Sequence, residues 1–383
     1  MTIVEITCRD PVVSRDSRPF GANQGNRMRA LEWLLPSVVA GSLRSALAIS
    51  ANRDFSSSVV QDLLGVGIAG PLPLACRKLY FPAPQDCVVH QGKAWRAAPQ
   101  ASHSGGCDWP SPGLRPVQLA DPRAPQDLKP DPAPAWWPAD ECTKWLAGEE
   151  IALDCRFLRH PKTDYRTHVH IDPDAGAAEE GALFTTAALA LGALPRHGAP
   201  AGANRKDRFL PIKLAARLDA KEWCAEAAAN LDLLHPMGGE RRLIHCKTTT
   251  DTQAWQCPKT IAAKLANAPR VKMMLATPAI FAEGWRPAWL NNELVGTPPG
   301  AAVRLRLVGV SIQRWRAVSG WSLAAPRGPK PIKRMVPAGG VYFFETENGA
   351  GNASDLAHRW LESVSDDEQD RRDGFGLALW GVW

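Results

Sequence analysis

Residues 14–48 read SRDSRPFGANQGNRMRALEWLLPSVVAGSLRSALA, a polar loop followed by a helix. The loop opens on Arg15, Asp16, Arg18, Pro19 and Phe20 and continues through Gly and Asn. Pro36 or Ser37 starts the helix, since Pro suits a first helical turn and Ser a cap. Val39, Leu43, Ala46 and Leu47 fall at i, i+4, i+7 and i+8 and form one apolar stripe. Ser37, Gly41 and Arg44 fall on another face. Two small residues ahead of an Arg admit a sugar-phosphate chain or another backbone at close range. A core helix whose Gly packs on a sheet fits the same spacing.

Working outward, residues 1–10 (MTIVEITCRD) alternate as a first strand and lack the basic-then-apolar layout of a signal peptide. Residues 53–95 are mixed. Residues 97–140 hold ten prolines and read as a long surface insertion, with Trp109, Trp136 and Trp137 docking parts of it. Strands are expected at 151–158 and 182–191, bracketing TDYRTHVHIDPDAGAAEEG, and again at 208–218. Asp219 caps an Ala-rich helix to about Asn230, and the turn Gly238-Gly239-Glu240-Arg241-Arg242 leads into the strand LIHCKTTT. A helix follows at 258–266 and a strand at 270–281, interrupted at Pro278. Residues 303–307 alternate, and Gly309 marks a bulge. VYFFE is a strand, Ser354 caps a helix over 355–364, and GFGLALW is the last strand. Strands and helices mix in each half, so the fold class is α+β and not a doubly wound parallel sheet. The sequence carries no repeat of 20–50 residues.

The 383 residues suffice for two domains, 1–235 and 236–383. Apolar and charged fractions of 45% and 22% are those of a globular protein, and no apolar run approaches a membrane span. Nine scattered cysteines, odd in number and never CxxC, argue against a disulfide framework or zinc ribbon and suit the reducing cytoplasm.

A net charge of +6 is too modest to announce nucleic acid, but its distribution is uneven. Residues 300–342 hold eight basic side chains and no acidic one, whereas 345–373 hold nine acids against three bases. Arg outnumbers Lys 31 to 14, and Arg forks onto phosphate and stacks on bases. Arg314-Trp315-Arg316 and Trp321 fit a charged groove with stacking platforms, and equally a solvated basic face.

Other constellations are sparse. His168-x-His170-x-Asp172 shares a strand face but has no further ligand cluster nearby, so no metal is expected. His with Tyr165 would suit a metal-independent ribonuclease, though no paired acid accompanies them. Glu179-Glu180 reads as a hairpin tip or a paired-carboxylate site, and His245 and Cys246 point to opposite faces of a strand. No P-loop or Rossmann fingerprint is present. Gly374-Phe375-Gly376, preceded by Gln369-Asp370-Arg371-Arg372-Asp373, would make a backbone concavity for phosphate, assisted by two Arg.

The combination is more specific than its parts. SRDSRPFG, PSVVAGSLRSALA, THVHID…AEEGALF, PMGGERR, TPAIFAEGW, VSGWS, RMVPAGGVYFFE and QDRRDGFGLALWG together resemble one family throughout. It is the RAMP-type subunit of the Cmr RNA-guided silencing complex (type III-B CRISPR effectors), which caps the 5′ handle of the guide RNA. The resemblance implies two ferredoxin-like (RRM-related) domains with the Pro-rich insertion in the first, and a Gly-rich loop at 370–376. It implies pairing with the large Palm-containing subunit and contact with the adjacent backbone subunit and the small-stem subunits. Target RNA would be met only indirectly, with no cofactor and no catalytic activity.

Carried onto this chain, the resemblance puts RNA contacts on Arg15, Arg18, Ser37, Gly41 and Arg44. A mid-chain block falls on Arg166, Thr167, His168 and His170, and a Gly turn on Gly238, Gly239, Arg241 and Arg242. Arg334 of the basic stretch and Arg371, Arg372, Gly374, Phe375 and Gly376 complete the set. This chain has Asp-Ser-Arg where the family more often has Asp-Gly-Arg, and Pro-Met-Gly-Gly where Leu-Gly-Gly is usual. Two other classes compete: a guide-processing endoribonuclease of the same superfamily with His168 or His170 as base, and an assembly scaffold without RNA contact.

Overall fold

The structure, a computed structural model, describes residues 1–15, 28–100, 113–125, 127–200, 202–322, 324, 326–347 and 353–383; of 179–182 it describes the backbone alone. In chain order the elements used below are β1 (Thr2–Cys8), α1 (Pro36–Ser50), β2 (Gly67–Ala75), β3 (Lys162–Ile171) and β4 (Ala178–Ala190). Then come β5 (Lys213–Asp219), α2 (Glu222–Ala229), β6 (Asp232–Pro236), β7 (Leu243–Thr249) and β8 (Arg270–Leu275). The last are β9 (Leu305–Ser311), β10 (Val341–Thr346), α3 (Glu368–Arg372) and β11 (Leu377–Val382).

Two antiparallel sheets carry the molecule. The first runs β6-β7-β1-β5-β2 and ends in the short strands Lys78–Pro82 and Trp136–Pro138. The second has β9-β10-β8-β11 at its centre. Taking β1, β2, β5 and β7 as one set and β8, β9, β10 and β11 as another, both run fourth–first–third–second across their sheet. The α+β class holds, and a repeat invisible in the sequence exists in the topology. In the first set α1 and α2 make the two crossovers. In the second, the expected helix at 355–364 is a 3-10 turn (Ala353–Arg359), followed by the short α3.

Alternation explains the layering. Ile3 and Ala215 pack toward the second sheet with Met273 and Leu379. Their neighbours Val4, Ile6, Leu214 and Ala216 pack toward the helices, meeting Val39, Leu43, Ala46 and Leu47 of α1. The apolar stripe read from the sequence is thus the buried face of α1. The first sheet is covered on both sides, by helices and by the second sheet.

Three expectations need correction. A boundary at 235/236 would cut the β6–β7 hairpin, whose second strand pairs with β1; the sheets part company only between β7 and β8. TDYRTHVHI, expected between strands, is itself β3, while 151–158 forms only isolated bridges. The Pro-rich 97–140 segment is not structureless. Lys93–Pro99 pairs with Cys87–His90 and Val117–Leu119, and Trp136–Pro138 joins the edge of the first sheet. Its prolines Pro99 and Pro138 end their strands, where a missing N–H does least harm.

This segment docks as its tryptophans suggested. Trp137 packs edge-on to Trp145 and Phe157 at 5.5 and 5.3 Å, and Trp136 lies 4.3 Å from Trp33; Trp109 lies outside the described residues. The amide of Arg115 donates to Val308 O at 2.7 Å. The bulge at Gly309 is real, and a Cβ there would lie 2.7 Å from Pro99 Cγ, so glycine permits the approach. Nearby, buried Lys272 Nζ bonds Asp86 Oδ2 at 2.8 Å, and Trp145 Nε1 donates to Asp86 Oδ1 at 2.7 Å. Among the described residues no helix is long and apolar enough to cross a membrane.

Candidate nucleic-acid interface

The residues singled out by sequence separate into an open edge, a buried joint and a projecting arm. At the edge, Val12 bridges Leu189 at the end of β4, Val13 bridges Gly239, and Arg15 bridges Ala30. The Gly238-Gly239 turn is built for this approach. Gly238 has φ +73°, and a Cβ on it would lie 2.4 Å from Val13 O. Glu240 and Arg241 also take left-handed backbone, and Glu240 pairs with Arg242. Arg15 and Arg241 are exposed and enter no ion pair among the described residues. Arg18 and Phe20 lie outside the described residues.

The β3–β4 hairpin leaves this edge. Arg166 is paired with Asp164 at 2.9 Å, and Thr167 is exposed. The His168 ring stacks on Phe184 with centres 5.3 Å apart, and its Nε2 lies 2.9 Å from Thr186 Oγ1. His170 is exposed two residues on. The other hairpin face presents Tyr165, Val169, Ile171 and Leu183, with Tyr165 63% exposed. Glu179 and Glu180 fall within β4 and not at the tip. Among the described residues no three His, Cys, Asp or Glu side chains gather as metal ligands.

The joint lies where α1 meets the Gly-rich loop, and here the sequence reading is corrected. Arg44 is buried: Nη1 meets Asp373 Oδ1 at 2.5 Å, and Nη2 donates to Val66 O at 2.8 Å and Arg372 O at 3.0 Å. The loop amides that would have cradled phosphate are occupied. Gly374 N donates to Arg371 O, Phe375 N to Asp370 O and Gly376 N to Pro278 O, at 3.1, 3.1 and 2.7 Å. Arg371 turns inward to the carbonyls of Ser365 and Asp366, and Arg372 pairs with Glu368. Phe375 is buried with Leu35, Ile280, Val318 and Met335. Gly374, at φ +90°, would put a Cβ 2.6 Å from Ile68 O and 2.7 Å from Gly70 O on β2. Gly376, at φ +74°, would put one 2.4 Å from Ser365 Oγ. Arg44, Arg371 and the loop 374–376 therefore hold the halves together and offer no open anion cradle. Gly41 is the opposite case, for a Cβ there would meet nothing within 4 Å. Ser37, half-buried, shares its open face, so that face is not packed on a sheet.

The arm is the acid-free stretch between β9 and β10. Arg316–Val318 pairs with Lys333–Met335, and Trp321–Ser322 with Gly328–Pro329. Its base is tied down by Arg316–Glu32 at 2.7 Å, Lys333–Asp370 at 2.8 Å and Lys330–Asp373 at 3.5 Å. Burial pushes the Asp370 carboxyl above the usual carboxylate range, against the pull of Lys333. Other cations of the arm are free, Arg314 and Arg334 near its base and Arg327 toward its tip: none enters an ion pair among the described residues. Trp315 and Trp321 are 46% and 65% exposed, and the Arg334 guanidinium lies 4.9 Å from the Trp315 ring centre. Arg314 and Arg327 were not in the sequence-derived set, although the missing acids marked them. A cleft of about 340 Å³ opens beside the base of the arm, lined by Trp33, Pro71, Trp136, Gln313 and Arg316 among others.

No curated protein matches the chain. Among solved structures, a chain of the type III-B Cmr-beta bound to cognate target RNA is similar at 13% identity, covering 98% of this chain and 96% of that one, with TM-score 0.49. A chain of the same particle with target RNA and AMPPnP is similar at 12% identity, covering 89% and 86%, with TM-score 0.46. A chain of the Csm3–Csm4 subcomplex of the type III-A CRISPR-Cas interference complex is similar at 9% identity, covering 92% and 94%, with TM-score 0.37. The family profile described as CRISPR-associated protein (Cas_Cmr3) matches residues 4–383. From its first strand to its last, the chain belongs to the Cmr3 family of CRISPR-associated proteins.

Proposed function

We propose that this chain is the RNA-binding subunit of a type III-B CRISPR effector that caps the 5′ handle of the guide and anchors the large Palm-containing subunit to the backbone. The observation that carries the reading is the arm, where unpaired arginines stand beside exposed tryptophans. A single-stranded RNA end offers one charge per nucleotide and unstacked bases, so guanidinium forks hold phosphates while indole faces receive bases. Arg15, Arg241 and the open Ser37–Gly41 face of α1 extend the same chemistry, and the cleft at Trp33 and Gln313 has room for one unstacked base. The shared strand order supports reading both halves as ferredoxin-like units. The exposed apolar face of the β3–β4 hairpin supports contact with the neighbouring backbone subunit. We assign the chain binding and no reaction, in the cytoplasm where guides are made. The stacked, hydrogen-bonded His168 is better suited to holding the hairpin than to taking a proton from RNA.

The test is binding of labelled handle RNA to the full chain across a salt series, with Arg314→Ala and Arg334→Ala combined. Each lost contact should weaken binding by about 1–3 kcal/mol and flatten the salt dependence. Affinity equal to the parent at every salt concentration would sink the reading.

A further inference from the structure

A groove on the first half has no part in the sites described so far. Its rim carries Arg9, Lys162, Arg205 and Lys206, and its floor includes Phe209 and Leu191. It encloses about 940 Å³. The short strand pair Ala193–Pro195 and Phe209–Pro211 builds one wall, and the start of β3 places Lys162 with its ammonium 5.0 Å from the Phe209 ring centre. None of the four rim cations enters an ion pair among the described residues. Two acids lie close: Asp10, whose Oδ2 accepts from the Leu243 amide at 2.9 Å, and exposed Asp207.

We propose that this groove is a second track for single-stranded RNA, with phosphates at the basic rim and sugar or base against the apolar floor. Four like charges around one concavity repel one another in the free chain, and a polyanion relieves that repulsion while releasing its own counterions. The track also continues. The Arg9 amide donates to Leu243 O at 3.0 Å, which sets the groove beside the turn bearing exposed, unpaired Arg241. Beyond Arg9 the same segment reaches exposed Arg15. A row of free cations extending past the groove matches a strand with one charge per nucleotide better than a single acidic patch on a protein. The strand is a stretch of guide or of target RNA, since both carry the same backbone.

The experiment has two arms. The full chain with R9Q, K162Q, R205Q and K206Q combined is titrated with a uridine-rich single strand. Affinity should fall at least about tenfold near 0.1 M salt, and the slope of log affinity on log salt should become shallower by about 2–3. The melting midpoint should not fall, because these side chains are at the surface and neutralising them removes their mutual repulsion. In the assembled particle, 4-thiouridine is placed in the guide or in the target, and crosslinks to Lys162 or to 205–209 from either one support the track and name its source. Parental affinity and slope would overturn the inference. So would crosslinks confined to other segments, or loss of a protein neighbour with RNA binding intact, the sign of an acidic protein occupant. If the Arg314/Arg334 variant loses handle RNA while the groove variant does not, the groove inference alone has failed.

Discussion

The Gly-rich joint and the basic arm look alike in sequence, since each sets arginines among glycines and aromatics. In the folded chain they are opposites. At the joint Arg44 has its fork closed on Asp373 and two carbonyls, and Phe375 is buried. On the arm Arg314, Arg327 and Arg334 enter no ion pair among the described residues, and Trp315 and Trp321 stand in solvent. Residue type alone does not tell glue from grip. What separates them is whether the guanidinium donors already have partners, because a bonded fork must be stripped before it can take phosphate.

The largest effect expected from this contrast belongs to Arg44. Arg44→Ala leaves Asp373 buried with Gln369 and with Lys330 at 3.5 Å, and it frees the Val66 and Arg372 carbonyls. Breaking a buried pair from one side costs about 3–5 kcal/mol, read as a lower denaturant midpoint. Arg44→Lys should recover little of it, because one ammonium cannot serve three acceptors set for a fork. A variant within about 0.5 kcal/mol of the parent would mean the joint is not held this way.

Next come two glycines that the sequence grouped together. Gly374→Ala forces a side chain into left-handed backbone and against two carbonyl oxygens of β2, for a loss of about 2–4 kcal/mol. Gly41→Ala should do the reverse, stabilising α1 by about 0.8–1 kcal/mol, since its Cβ enters open space in a helix interior. If that face meets RNA, the same change lowers handle affinity while raising the melting temperature. Equal losses of stability in both variants would erase the distinction between joint and open face.

Much of this was legible in the sequence, and the failures have physical causes. The apolar stripe of α1, the bulge at Gly309 and the strands β1, β7 and β10 follow from period and turn chemistry, which are local. The sheet boundary failed because β7 belongs to the first sheet through pairing with β1, more than 230 positions away in sequence, and no local signal records that. The Gly-rich loop was read as a cradle because its composition suits one. Only β2 packed against Gly374 shows that its glycines serve close approach. The acid-free run drew attention to residues 300–342, which contain the arm together with β9, whereas the groove cations are single residues scattered over nearly 200 positions and leave no pattern to read.

The smallest effect concerns Asp370, which sits where joint and arm touch. It lies in α3, and the arm's Lys333 reaches it at 2.8 Å. Its carboxyl is raised above the usual range because burial outweighs the nearby ammonium, with Asp367 and Asp373 adding to the rise. The sign follows directly. The folded chain holds this proton more tightly than the unfolded one, so folding gains stability as pH falls from neutral through the raised folded value. The gain is complete below the ordinary aspartate range, near about 4, where both states are protonated. Asp370→Asn removes the titration. The parent's denaturant midpoint should therefore improve relative to the variant as pH falls across that window. A difference that is flat, or that runs the other way, would mean Lys333 overcomes burial and the arm is latched by a full ion pair across that window.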